Sequence, residues 1–256
     1  DNGSPLQTLQ QFVTVTITGT NDTPVITSSL DTNSFTEGAA TTFTDSGSIA
    51  FTDADLNDIG HTATVSVAAT GTVTGFTGDA LSYLTITDSD SVSAGVQVVK
   101  ATGSTSGSAA WAFSAPDSAF DYLAAGETVT FTYTVTINDG DGGTDSEQQI
   151  QVTVTGSNDA PVITVADLTG GVTEGNTVAP ITDTGTLSFG DVDLTDTHTA
   201  SAVYSGSTHG SQLGTLTASV TTDTSGGTGG VVTWNFSVDD AAVQFLGAGQ
   251  SITETY

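Results

Sequence analysis

Along much of the chain, apolar and polar residues alternate with a period of two. Val13 to Thr18, Thr128 to Ile137 and Ile150 to Thr155 place Val, Ile, Phe or Tyr at every second position with polar residues, mostly Thr, between them. Shorter runs of the same kind cover Ser48 to Thr52 and Thr62 to Val67. Successive side chains of a strand point to opposite faces, so each run carries an apolar face and a hydroxyl face. Clusters of Gly, Asn and Asp bound the runs and read as turns. The pattern predicts an all-β chain built as two-sheet sandwiches. One helical hint interrupts it at Asp117 to Ala125, where Asp117 is placed to cap a single turn and Gly126 to end it.

The runs belong to a larger period. VTITGTNDTPVIT, from Val15 to Thr27, returns 137 residues later as VTVTGSNDAPVIT from Val152 to Thr164. The block from Thr36, TEGAATTFTDSGSIAFTDADLND, returns from Thr173 as TEGNTVAPITDTGTLSFGDVDLTD. A third block, WAFSAPDSAFDYLAAGETVTFTY from Trp111, returns from Trp234 as WNFSVDDAAVQFLGAGQSITETY, now 123 residues on. The two copies therefore differ by about 14 residues between Ala63 and Trp111, a Gly/Ser/Thr-rich stretch of the kind that forms surface hairpins. Residues 1–21 match the end of a repeat, 22–158 make one whole repeat, and 159–256 make a second that stops inside an expected strand. The expectation is a tandem array of two-sheet sandwich modules joined by short linkers, seen through a window cut from a longer chain.

Charge narrows the function. The 256 residues carry 29 acids against one base, Lys100, for a formal net charge of −28. Nucleic-acid binding needs clustered Lys and Arg and is not expected. Direct membrane insertion is not expected either, because no run approaches the length of an apolar span. There are no Cys residues, so disulfides cannot staple the modules. No nucleophile elbow or other catalytic signature occurs, and the expectation is a protein that is not an enzyme. Trp111 and Trp234 read as core residues, and the repeat-equivalent His61 and His198 as structural partners of an acid or a strand end.

The acids are concentrated in short motifs that recur in one order. These are NDxP at Asn21-Asp22 and Asn158-Asp159, TEG at Glu37 and Glu174, DxD at Asp53/Asp55 and Asp191/Asp193, and DGDGG with Asp139 and Asp141. Asp, Asn and Gly are ordinary turn formers, so each motif alone reads as a turn. Their recurrence points further. Two carboxylates about 4 Å apart repel by about 1 kcal/mol even in bulk water, and no Arg is present to offset it. Oxygen-only donors suit a hard cation, Ca²⁺ rather than Zn²⁺. DGDGG fits neither the EF-hand loop nor the nonapeptide calcium roll.

In order and in kind, these blocks resemble the VCBS repeats of large bacterial RTX-type surface adhesins, and their layout is similar to that of cadherin ectodomains. The resemblance implies an all-β, Ig-like or cadherin-like β-sandwich of seven strands for each module, with Ca²⁺ bound at the short linkers between successive modules. Carried onto this chain, it groups Asn21, Asp22, Asp53, Asp55, Asp139 and Asp141 at the upper end of the first full module. It groups Glu37 with Asn158, Asp159, Asp191 and Asp193 at the next junction, and gives Glu174 the role of Glu37 one module further on. The linkers lack the acid that precedes the cadherin Asn-Asp pair, and Asp88, Asp90 or Asp117 are candidates for the missing ligands. The function implied is that of extender repeats, stiffened by Ca²⁺, in an extracellular or bacterial cell-surface protein for adhesion or biofilm formation. Partners would be the neighbouring repeats, and other cells, surfaces or matrix through other domains. Two other readings remain: a carbohydrate- or host-surface-binding module using the extra residues with Phe76 and Tyr83, and a filament or surface-layer subunit with a donated strand.

Overall fold

A computed structural model describes residues 10–87 and 99–256. The chain is nearly all β, as the alternation predicts. Nine strands belong to the first repeat: β1 (Val25–Ile26), β2 (Asp31–Thr36), β3 (Thr42–Thr52), β4 (Thr62–Gly71), β5 (Leu84–Thr87), β6 (Val99–Lys100), β7 (Ser106–Pro116), β8 (Thr128–Asn138) and β9 (Thr144–Thr155). They form two sheets, one ordered β1-β3-β7-β5 with β6 also on β7, the other β2-β9-β8-β4. All pairings are antiparallel except β2 with β9.

The core lies between these sheets because the period-two faces meet there. Ile49, Trp111, Phe113, Val129, Phe131, Tyr133, Val152 and Val154 are all buried in one cluster. Gly47 is cross-strand from Trp111, and a Cβ on it would come 2.7 Å from the indole. The missing side chain therefore makes the seat for the ring. Gly185 and Trp234 repeat the arrangement, with a Cβ contact of 2.4 Å. Both Trp residues are buried, as expected of core positions.

The second repeat contributes β10 (Val162–Ala166), β11 (Ile181–Gly190), β12 (Gly206–Ser207), β13 (Thr215–Thr222), β14 (Gly230–Val238), a helical turn α1 (Asp240–Val243) and β15 (Glu254–Thr255). Its first sheet, β10-β11-β14-β13, copies the first sheet of the preceding repeat. The opposite sheet is reduced to the short β12–β15 pair.

Two local expectations are corrected. Val13 to Thr18 joins no strand pair among the described residues, and Val13, Val15 and Ile17 are 87%, 76% and 91% exposed. Its repeat-mate, Ile150 to Thr155, is a strand because β8 and β2 flank it; residues 13–18 have no such neighbours among the described residues. The turn at Asp117–Ala119 is 3-10, and the Asp117 side chain does not cap it. That carboxylate instead accepts from the Gly38 amide at 3.1 and 3.2 Å, tying the TEG loop to the end of β7. Asp240 does the same one repeat later, accepting from the amides of Gly175 at 2.8 Å and Thr177 at 2.9 Å.

Candidate metal centre at the module junctions

The two DxD loops share one hydrogen-bond frame. Asp53 Oδ1 accepts from the Asp55 amide at 2.8 Å, and Asp191 Oδ1 from the Asp193 amide at 3.0 Å. His61 Nε2 meets Asp53 Oδ2 at 2.7 Å, and His198 Nε2 meets Asp191 Oδ2 at 2.9 Å. The second carboxylate of each pair then reaches the linker: Asp22 N donates to Asp55 Oδ2 at 2.7 Å, and Asp159 N to Asp193 Oδ2 at 2.8 Å. The first acid of each motif is thus a buried brace for the loop, while the second faces the junction. The histidines have the structural role expected of them.

At the upper end of the first module, the linker, the DxD loop and the DGDGG turn come together. Asn21 Nδ2 donates to Asp139 Oδ2 at 3.0 Å, and Asp139 also accepts from the amides of Asp141 and Gly143. Burial opposes ionisation of Asp139, but the bonds from Asn21, Asp141, Gly143 and Gly142 outweigh it and hold the carboxyl below its usual range. Asn21, Asp55, Asp58, Asp139 and Asp141 line one open concavity here. On the other side of the loop, the buried Lys100 ammonium donates to the carbonyls of Asp55 and Asp58. Asp53, Asp58 and His61 each place a ligand atom within 4.8 Å of the others. With an ammonium already on the loop carbonyls, a second cation at that trio meets a charge of its own sign.

The junction between the two modules is different. Glu37 is buried, and its Oε2 accepts from the Ser157 amide at 3.1 Å. Burial, together with the charges of Asp159, Asp121 and Asp193, pushes its carboxyl up to about 7 despite the Ser157 bond. Asp121 is raised by burial and by Asp159 and Asp117. Asp193 is raised by burial and by Asp196, Asp159 and Asp191, against the Asp159 amide. Asp193 Oδ1 is buried without a hydrogen-bond partner. The surface around this cluster is packed across the joint: Leu194 N donates to Tyr122 O at 3.3 Å, its side chain joins the first module's core, and Thr195 Oγ1 lies 3.1 Å from Glu127 Oε1.

Of the expected ligands, Glu37, Asp159 and Asp193 therefore converge, with Asp191 braced behind them. Asn158 turns its amide to the Asp159 carbonyl at 2.6 Å, because the second repeat offers no DGDGG turn within these residues. Glu174 lies in the TEG segment of the second module, where it lines a groove with Val243 and Leu246 and its buried Oε2 has no hydrogen-bond partner among the described residues. Asp88 and Asp90 fall outside the described residues. Asp117 contributes its charge near Asp121 and its oxygens to Gly38.

Sequence reasoning overlooked Asp121, Asp58, Asp196 and Asp223. The third acid of D-x-D-L-x-D, at Asp58 and Asp196, was a readable signal; Asp121 is Gln244 in the other copy and leaves no repeated mark. Asp223, the counterpart of Lys100, bonds His198 Nδ1 at 2.6 Å, and the Asp191 bond, with this one beside it, raises the imidazole's pKa.

As ligands these groups suit one kind of ion. All are oxygens, they come from the linker and both flanking modules, and one of them is a buried oxygen lacking a partner. That donor chemistry fits a hard divalent cation. Phe76 and Tyr83 do not form an exposed aromatic platform. Phe76 lies 5.2 Å from the ring of Phe131, and Tyr83 packs edge-on to Phe113 at 6.3 Å, so both complete the first module's core.

No protein-family model matches the chain, and no curated protein matches it. Among solved structures, the chain is similar to a mutant of the SrpA adhesin from Streptococcus sanguinis at 15% identity and a TM-score of 0.32, over 68% of this chain and 90% of that one. It is also similar to a chaperone–tip adhesin complex of CFA/I fimbriae at 10% identity and a TM-score of 0.31, over 93% and 98%. A third match is PapD-like domain 7 of human CEP192, at 9% identity and a TM-score of 0.23, over 61% and 99%. TM-scores this low do not bear on function. Among the described residues, no helix is long and apolar enough to cross a membrane.

Proposed function

We propose that the chain is a pair of extender modules of an extracellular adhesion protein, locked end to end by Ca²⁺ at each junction. The observation that carries this reading is the cluster of Glu37, Asp121, Asp159 and Asp193, drawn from two modules and their linker, with one buried oxygen unpartnered. Four acids gathered at a joint without Lys or Arg repel when ionised, and ionisation is what the raised Glu37 carboxyl resists. A divalent cation there would turn mutual repulsion into a bond between modules. Extracellular Ca²⁺ modules bind at roughly 0.1–1 mM, so the joint would be loose where Ca²⁺ is scarce and stiff outside the cell. The high negative charge would keep a long array soluble.

Small-angle scattering with a parallel thermal melt tests it, first in excess chelator and then in millimolar Ca²⁺. The expected result is a more extended, less variable profile and a higher melting temperature with Ca²⁺, both lost in Asp159→Ala. Identical profiles and melts in the two buffers would overturn the reading.

A further inference from the structure

We infer that the β4–β5 connection of the first module, closed by Tyr122, is a socket that recognises the leucine after the DxD motif of the module that follows it. Leu194 is that leucine, and it meets the socket with both backbone and side chain. Its amide donates to the Tyr122 carbonyl at 3.3 Å, and its side chain packs against the buried cluster of the first module. A Cβ on Gly75 would come 2.4 Å from Leu194 Cδ1 and 2.9 Å from the Tyr122 ring. Gly75 also has a φ of 100°, a conformation that residues with a side chain rarely adopt. The glycine therefore lets the connection turn and leaves the space that the leucine fills.

The first module holds the socket in shape. Tyr122 Oη donates to the Thr72 carbonyl at 2.8 Å, Thr72 N donates to Thr128 O at 2.8 Å, and Tyr133 Oη donates to Ala80 O at 2.7 Å. Between those ties Phe76 packs against the rings of Phe120 and Phe131. The second repeat encodes neither part. Its corresponding connection, residues 208–214, is shorter than residues 72–83, and Phe245 stands where Tyr122 does, with no hydroxyl to hold a loop carbonyl. The leucine, by contrast, is common to both repeats, at Leu56 and Leu194. The knob is general and the socket particular to one module, so this pairing carries information about which module precedes which.

The contact goes beyond the calcium reading because it needs no ion. The linker is tied to the first module as far as Ser157, whose amide meets Glu37 Oε2, and to the second from Asp159, whose amide meets Asp193 Oδ2. Gly156 N donates to Glu127 O at 2.9 Å and Gly126 N to Gly156 O at 3.1 Å, which fixes the direction in which the chain leaves the first module. Asn158 alone separates the two tied stretches. Modules joined only by a short linker are free to reorient. A second tie at Leu194 leaves rotation only about the line through the two ties, and burial of an apolar side chain does not depend on the charge of the acids beside it. Without Ca²⁺ the joint is then a restricted hinge rather than a free one, and an ion among the acids locks that hinge.

Pulsed dipolar spectroscopy on the full chain tests the socket separately from the metal. Spin labels at Ser48→Cys on β3 and Ser219→Cys on β13 sit at exposed positions, one in each module, and the chain has no Cys of its own to compete. In chelator the expected result is a distance distribution with a single bounded maximum. Leu194→Ala should lose that maximum and Leu194→Met should keep it. Tyr122→Phe, which retains the ring but frees the Thr72 carbonyl, should broaden it. Circular dichroism and a melt of each variant keep loss of the joint apart from loss of fold. A wild-type distribution that Ca²⁺ leaves unchanged, but that Leu194→Ala still broadens, would support the socket and overturn the calcium reading alone. A folded Leu194→Ala chain with the wild-type distribution in chelator would overturn the inference, whatever Ca²⁺ does.

Discussion

The two modules share their sequence blocks but not their degree of closure. In the first, β9 enters between β8 and β2 and seals a core in which Trp111, Phe113, Phe131 and Tyr133 are buried. In the second, the matching sheet β10-β11-β14-β13 is present, yet Phe236, Leu246 and Ile252 line an open groove. Local alternation marks which face of a strand seeks cover; the opposing sheet decides whether it finds it. The junction loops make the converse point. Their frames agree to within about 0.2 Å bond for bond because every partner is local or in the linker. What differs is the charge beside them, Lys100 in one and Asp223 in the other.

The largest effect expected from breaking this contrast is at the Trp pair. Trp111→Ala should lower the stability of the first module by about 3–5 kcal/mol, the usual range for a buried aromatic. Trp234→Ala, in the half-open module, should cost less. Calorimetry of the two variants, in which the closed module should melt above the open one, reads both. Equal losses would mean the second module is as tightly closed as the first.

Acidity should sharpen the comparison next. Glu37 is raised from 4.5 to about 7 in the fold, so the folded state binds more protons than the unfolded state between those values. Stability without metal should therefore rise as pH falls from about 7 to 4.5, by about 1–3 kcal/mol at the conversion of roughly 1.4 kcal/mol per pH unit. Asp121, Asp193 and His198, also raised, act in the same direction. Glu37→Gln should flatten the dependence, and so should Ca²⁺. Melts across that window, with and without chelator, decide it.

Gly47→Ala should cost about 1–3 kcal/mol, since its Cβ would press on the Trp111 ring in a full core. Gly185→Ala, whose Cβ would come 2.4 Å from the buried Trp234 ring, should cost a similar amount; urea unfolding of both variants gives the ratio. Smallest is Lys100→Met, which leaves the carbonyls of Asp55 and Asp58 without their ammonium, a loss of about 1 kcal/mol read by hydrogen exchange in that loop.

Most of the fold was legible because its signals are local and repeated. The Val/Thr alternation of β8 and of the second half of β9 located those strands, and the offset of the TEG and DxD blocks predicted matching frames at His61 and His198. Residues 13–18 show the limit: they carry the right pattern, but a strand needs neighbours that no local pattern specifies. The junction was legible in part. Glu37, Asp159 and Asp193 were named by recurrence, whereas Asp121 emerges only when the turn after β7 folds beneath the linker. Lys100 was visible only as a count of one; its burial against two carbonyls depends on the pairing of β6 with β7.

Calcium titration of the metal-stripped chain by isothermal calorimetry tests the central claim most directly. The account predicts saturable binding with a dissociation constant of roughly 0.1–1 mM. It also predicts proton release near neutral pH as Glu37 ionises, and a lost site in Asp193→Asn. No saturable heat up to 10 mM Ca²⁺, or binding that Asp193→Asn leaves intact, would contradict it.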